Sequence, residues 1–376
     1  VRLQRIHRRS GQLVAVLAAG AFALTACGSD GPDESADAPS STTTTGSADI
    51  PKASGQISGV GSSAQQAALQ AWSAGFQAAN SGATINYDPA GSGGGRTQFL
   101  AGGNVSFAGS DAALKDDEVA KATTRCGGPV VEVPLYISPI AVVYNLDGVD
   151  DLQLSPTTIA KIFNQTIKTW DDPAIKADNP DADLPKTKIT PVNRQESSGT
   201  TQNFTDYLAK TAAADWAFPV SGDFPVKGGE NAQGTSGMVA AVGEADGGIG
   251  YVDESQAKDL QIAKIKVGSS YVAPSPEGAA KTVAESPQVT GRTATDLALS
   301  LKRDGTDGYP IVLVTYTITC SSYSDAAIGN LVKAFFTYAA SDAGQQAAAK
   351  AAGSAPLSKD LQTKVQTVLS GIKAGA

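Results

Sequence analysis

Eight consecutive residues, Arg194-Gln195-Glu196-Ser197-Ser198-Gly199-Thr200-Thr201, gather a guanidinium, a carboxylate, several hydroxyls and a glycine. An arginine offers a planar fork of donors suited to tetrahedral oxyanions. The octet follows the apolar run Lys188-Ile189-Thr190-Pro191-Val192 and opens a segment, Gln202 to Lys210, that carries Phe204, Tyr207 and Leu208 on one face. That pattern predicts a strand end, a turn and a helix start. A helix start presents unpaired N–H groups and a partial positive charge. Gly199 lets an anion approach that backbone, and Ser198, Thr200 and Thr201 add donors. An ordinary helix cap with Arg194 and Glu196 paired at the surface uses the same residue types, so the octet alone leaves both readings open.

Two further loops have the same character. Gly59-Val60-Gly61-Ser62-Ser63-Ala64 joins a short strand to a helix on which Ala68, Trp72 and Phe76 recur every four residues and so share a face. The strand Ala83 to Tyr87 leads into Asp88-Pro89-Ala90-Gly91-Ser92-Gly93-Gly94-Gly95-Arg96, with a helix expected from Thr97 and Arg96 expected at the surface. The glycine loop lacks the Lys-Ser/Thr ending of a phosphate-binding P-loop, so nucleotide binding is not supported. A third strand, Val105 to Gly109, ends in Ser110-Asp111. Asp111 either caps a helix over Ala112-Ala113-Leu114 or stands among the anion-seeking loops. In the second case its chemistry is selective. A carboxylate tolerates an anion only when that anion has a proton to donate, as hydrogen phosphate does and sulfate at neutral pH does not.

The elements that must position these groups belong to an exported chain. The chain has 376 residues, enough for two domains or one large one, and a formal net charge of -8. Arg2, Arg5, Arg8 and Arg9 precede the apolar stretch Leu13 to Ala23, which falls short of the roughly 20 residues of a membrane span and marks residues 1–26 as a signal peptide. Leu24-Thr25-Ala26-Cys27 resembles a bacterial lipobox, which implies a lipid on Cys27, palmitate among its acyl chains, and attachment to the outer face of the cell membrane. Loss of residues 1–26, with four arginines and no acid, takes the charge to -12. Residues 27–53 are rich in Ser, Thr, Asp, Pro and Gly and read as a disordered tether. No basic block follows the signal, so nucleic acid is not an expected partner. In an exported chain, Cys126 and Cys320 are expected to form one disulfide. The single histidine, His7, lies in the signal. The mature chain thus has none, which excludes Ser-His-Asp and Cys-His catalysis and His-ligated zinc.

Taken in order, Gly-x-Gly-Ser-Ser, Tyr-x-x-x-Gly-Ser-Gly-Gly-Gly, Phe-x-x-Ser-Asp and Arg-x-Glu-x-Ser-Gly-Thr-Thr resemble the phosphate-binding proteins of Pst-type ABC importers. So do Asn164 to Ile175, with Ile167, Trp170, Asp172 and Pro173, and Gly247 to Val252. The resemblance runs from about Ile57 to the C-terminal region. It implies a two-lobed α/β fold of the type II periplasmic-binding-protein kind, with ligand in the interlobe cleft and two hinge crossings. One lobe would take residues 54–140 and 266–376, the other 141–265, with crossings at Leu135 to Asn145 and Ile262 to Val267, and with Cys126 and Cys320 in the same lobe near the hinge. By motif, Ser62, Ser63 and Ala64 match the first loop's donors, Ser92 the glycine loop's, and Asp111 the acceptor of the phosphate proton. Arg194 matches the arginine, and Ser198, Gly199 and Thr200 the helix-start donors. Glu196 stands where many relatives have Asp, as support for Arg194, and Ala64 where some have an aromatic. The resemblance further implies a monomer that delivers inorganic phosphate to the permease of an ABC transporter, without catalysis, cofactor or metal. The alternatives are a receptor for sulfate, molybdate or a phosphonate, and a secreted phosphatase on the same scaffold.

Overall fold

The longest strand, Val130–Asn145, is buried along almost its whole length and organises the molecule. A computed structural model describes residues 50–305 and 307–375, which belong to one compact unit, Ser47–Ala376. The expected signal peptide, Cys27 and most of the expected tether lie outside the described residues. Ile50 and Ala53, at the end of the expected tether, already pack against the core. Asn80 fixes them: its Nδ2 donates to the Pro51 carbonyl and its Oδ1 accepts from the Ala53 N–H.

The first half of the long strand, Val130 to Pro139, pairs antiparallel with Val312–Cys320. The second half, Ile140 to Asn145, pairs antiparallel with Gly248–Asp253. β-branched and aromatic residues populate all three strands, as a surface covered on both faces requires. A single strand thus carries the chain from one side of the molecule to the other. The resulting nine-stranded sheet of the described residues runs Ala83–Asp88, Gly55–Gly61, Phe107–Ser110, Val312–Cys320, Val130–Asn145, Gly248–Asp253, Thr190–Arg194, Glu230–Ala232. Gln261–Ile262 completes it by pairing with Val143 and Tyr144.

The chain does not return at Ile262–Val267. Lys264–Val267 pairs with Gln153–Leu154 and with Ser270–Val272, staying on the second side. The following helix, Pro276–Ala284, belongs to the first side: Gly278 accepts from the Tyr309 N–H, and Tyr309 donates its hydroxyl to the Ile140 carbonyl. The return therefore falls between Val272 and Pro276. Apolar β-branched residues suit a short sheet as well as a crossing, so composition alone did not separate the two.

Cys126 and Cys320 are joined by a disulfide. Cys320 pairs with Val130, at the end of the long strand and about 30 Å of strand from the crossing at Ile140, taking about 3.3 Å per residue. The disulfide thus ties the helix Asp116–Cys126 to the rim of the first side, not to the hinge region where it was expected. The two other segments that resemble the family, Asn164 to Ile175 and Gly247 to Val252, meet in the interior. Trp170 is fully buried and donates its indole N–H to the Gly247 carbonyl. Asp172 caps the short helix Pro173–Asp178 by accepting from the Ala174 N–H.

Candidate functional site

Four helix N-termini meet where the two halves of the sheet face each other. From the first side come Gln66–Ala79 and Ser92–Ala101. From the second come Gly199–Thr211 and Gly234–Glu244. Each follows the C-terminal end of a parallel strand, the place where open α/β sheets form crevices. Their dipoles make the junction electropositive without needing many charged side chains.

The glycine-loop helix starts at Ser92, five residues earlier than Thr97, with Gly93, Gly94 and Gly95 inside it. Glycine is unfavourable in a helix, and close packing explains its use here. A Cβ on Gly95 would lie 2.6 Å from Gly61 Cα and 2.8 Å from the Val60 carbonyl oxygen. One on Gly93 would lie 2.4 Å from Ser197 Cβ across the junction. The Gly93 N–H donates to the Ser197 carbonyl at 3.0 Å, so the two sides touch directly. Arg96, expected at the surface, is buried. It donates to Ser110 Oγ at 2.9 Å and pairs with Glu118 at 3.2 Å.

Asp111 begins no helix; the next one starts at Asp116. Its carboxylate is buried with two unlike oxygens. Oδ1 accepts from Thr315 Oγ1 at 2.8 Å. Oδ2 accepts from Ser92 Oγ at 3.3 Å and from Thr200 Oγ1 at 3.4 Å, both long. Burial pushes its pKa up, opposed by hydrogen bonds from Ser62 and Thr315, the charge of Arg194 and the Ser92 hydroxyl. The backbone is held as well: the Asp111 N–H donates to Ser92 Oγ, and Asn203 donates to the Asp111 carbonyl at 2.7 Å.

Arg194, at the end of its strand, is equally buried. One terminal nitrogen donates to Ser63 Oγ at 3.0 Å and pairs with Glu196. Glu196 also accepts from the Gly234 N–H at 3.2 Å, so it orders the arginine and the start of a helix together. The Arg194 Nε has no protein acceptor among the described residues. Ser63 Oγ accepts from Arg194 and from the Thr235 N–H at 3.1 Å, and shares a hydrogen bond with Thr235 Oγ1 at 3.0 Å. Ser62 and Ala64 are buried beside it, and Ser62 Oγ accepts from the Ala64 N–H at 3.1 Å. The Ser62 N–H donates to the Gly109 carbonyl, so of Ser62 only the hydroxyl is free to turn. Ser198 caps the Gly199–Thr211 helix by accepting from the Thr201 N–H. The first N–H groups of that helix, at Gly199 and Thr200, have no acceptor within it by geometry.

The structure therefore brings Ser62, Ser63, Ala64, Ser92, Asp111, Arg194, Glu196, Ser198, Gly199 and Thr200 into one buried cluster. Sequence reasoning missed Thr315, Asn203 and Gln256, and gave Thr235 no role beyond a helix start. Gln256 donates its amide to the Ser63 and Ala64 carbonyls. Thr315 and Gln256 meet their partners across long stretches of chain, and Asn203, although it follows the octet, meets Asp111 92 residues away, so no local signal marked these contacts. Among the described residues, no group of three or more His, Cys, Asp or Glu is placed to hold a metal ion. Nor is any described helix long and apolar enough to cross a membrane.

Comparison with known proteins places this geometry. Residues 42–343 match the family described as PBP superfamily domain. The chain is 39% identical to phosphate-binding protein PstS 3 of Mycobacterium tuberculosis over 338 residues, covering 87% of this chain and 89% of that one. It is 38% identical to phosphate-binding protein PstS2 of Mycobacterium bovis, covering 97% of this chain and 99% of that one. Among solved structures, a high-affinity periplasmic phosphate-binding protein, PfluDING, bound with phosphate, superposes with a TM-score of 0.68. The two share 25% identity over 83% of this chain and 93% of that one. A phosphate-binding protein from Stenotrophomonas maltophilia, at 22% identity and TM-score 0.68 over 84% of this chain and 94% of that one, shares the fold. The chain belongs to the PBP superfamily and, within it, to the PstS family of phosphate-binding proteins.

Proposed function

We propose that this protein is an extracytoplasmic receptor that captures inorganic phosphate and delivers it to the permease of a Pst-type ABC importer. One observation carries the ligand assignment: a buried carboxylate, Asp111, stands within a ring of helix N-termini, hydroxyls and one buried arginine. A ring of donors alone suits any oxyanion. The carboxylate favours one that brings a proton, because two unprotonated acceptors in contact leave both buried and unpaired. In this reading Ser62, Ser63, Ala64 and Ser92 bind from the first side and Arg194, Ser198, Gly199 and Thr200 from the second. Asp111 accepts the phosphate proton, and Glu196 holds Arg194. The chain's net charge is negative, so capture depends on these local dipoles rather than on long-range attraction.

The pairing of the sheet supports a division into two lobes. One comprises the first side up to about residue 140 and the chain after about residue 275; the other lies between. The protein works as a monomer that closes over its ligand and opens on the permease, with the solute chemically unchanged. Cys27 anchors it by lipid to the outer face of the cell membrane; mass spectrometry of the mature N-terminus tests that assignment.

Calorimetric titration of the lipid-free mature domain with phosphate and sulfate, beside Asp111→Asn, tests the ligand. The wild type is expected to bind phosphate and not sulfate at neutral pH. The variant, whose amide can donate, is expected to shift the preference toward sulfate by about tenfold or more, the value of a hydrogen bond to a charged group. Equal binding of both anions by the wild type would replace the proton-reading site with a general oxyanion receptor.

A further inference from the structure

We infer that Thr315 is a specificity-setting residue, which locks one oxygen of Asp111 so that only the other is presented to the ligand. This role rests on phosphate being the ligand. Thr315 lies on the strand Val312–Cys320, 204 residues from Asp111 in sequence. The register explains the encounter: Tyr316 pairs with Ser110, which places Thr315 beside Asp111. Between Thr315 and Tyr316 the pairing with the long strand shifts from Tyr136 to Pro134, which leaves Leu135 as an extra residue on the long strand beside Thr315.

The two oxygens of Asp111 differ in their partners. Oδ1 takes the short bond from Thr315 at 2.8 Å, whereas the bonds to Oδ2 are 3.3 and 3.4 Å long. The short bond at Oδ1 fixes the rotation of the carboxylate, while the two long bonds at Oδ2 are the ones a ligand proton can displace. Oδ2, weakly held, keeps its capacity to accept. The Thr315 hydroxyl is fully buried, and donating to an ionised carboxylate is the stronger use of its proton. The donor also favours the ionised state, in which Asp111 can only accept. Without it, Asp111 takes up a proton more readily and becomes a donor, which a fully deprotonated anion accepts. The other charged and titratable groups that face Asp111 are Arg194, Tyr87 and Asp253. Arg194 favours ionisation; Asp253 opposes it, and Tyr87 is held neutral by burial.

The test is Thr315→Val, which keeps the shape and removes the hydroxyl, with Thr315→Ser as the conservative control. Phosphate and sulfate dissociation constants are measured from the carboxylate titration range to neutrality, with thermal unfolding of each ligand-free protein. Thr315→Val is expected to weaken phosphate binding by about tenfold and to admit sulfate at a higher pH than the wild type does. Thr315→Ser is expected to restore both. A folded Thr315→Val with wild-type constants and the wild-type pH profile overturns the inference while leaving phosphate as the ligand. Failure of the wild type to bind phosphate overturns the ligand itself. If Thr315→Val does not fold, Thr315→Cys, with similar volume and a weaker donor, serves instead. An intermediate shift in the sulfate profile is then expected, and no shift overturns the role.

Discussion

Gly199 shows how much of the site depends on a missing side chain. A Cβ there would lie 2.5 Å from Ser92 Oγ and 2.6 Å from Asp111 Cβ. Ser92 and Asp111 come from the opposite side of the junction, so the clash exists only when the two sides are closed. Gly199→Ala should therefore leave the open, ligand-free protein as stable as the wild type, or slightly more so through helix propensity. It should oppose closure by about 2 kcal/mol, a typical cost of overpacking, and weaken phosphate binding roughly 30-fold. Calorimetry gives the affinity and thermal unfolding the stability. A large loss of ligand-free stability with unchanged affinity would mean that Gly199 serves the fold and not closure. Its importance was legible in the sequence as a helix start fit for an anion. The packing reason was not, because the atoms it must avoid lie far away in the chain.

Elements explain what was and was not legible. Helix starts, strand ends and the long apolar strand show themselves through local periodicity and capping residues, and they appear close to where the sequence placed them. Arg194 and Asp111 stood out because each ends a strand before a turn. Links between elements were hidden, and Arg303 is the clearest of them. It is buried, and it donates to the carbonyls of Pro310 and Val312 on its own side. Across the junction it donates to Asp206 at 2.9 Å and to Asn203, both on the Gly199–Thr211 helix. Asn203 in turn donates to the Asp111 carbonyl. The chain of bonds connects the ligand site to a latch at the far end of the contact. Arg303→Met should leave Asn203 Oδ1 without its donor and Asp206 with Lys210 alone, at a cost of roughly 1.5 kcal/mol, borne mostly by the closed form. The expected readout is faster phosphate release in stopped flow and a larger radius of gyration in the presence of phosphate. An unchanged release rate with a wild-type radius would show that Arg303 does not hold the two sides together.

At the scale of the whole molecule, buried carboxyls give stability a pH dependence opposite to that of ordinary ion pairs. Glu132 is fully buried on the long strand. Burial pushes its pKa up to about 8, and the charge of the neighbouring Asp296 adds to the rise, while a backbone hydrogen bond and Arg292 oppose it. Asp253, buried where its strand meets Ile140, is pushed up to about 7 by burial, against donors from Ser255, Ser138 and Tyr136. Both groups bind their protons more tightly folded than unfolded. The sign follows from linkage: stability is highest where both are protonated and falls as pH rises toward and through these values. Each group contributes at most about 1.4 kcal/mol per pH unit over the window between its unfolded and folded pKa. The contribution is full only below the ordinary carboxylate range, so the ligand-free domain should unfold at lower denaturant concentration just above pH 8 than near pH 6, an interval that contains both values. Exposed ion pairs contribute little in that window, since their carboxylates titrate well below it. Glu132→Gln keeps the size and the neutral state while removing the titration, so the variant should show a shallower fall than the wild type. Denaturation midpoints at several pH values decide the matter. A wild-type midpoint that is flat or rises across the window would mean that these carboxyls are ionised in the folded protein and paired more strongly than their burial suggests.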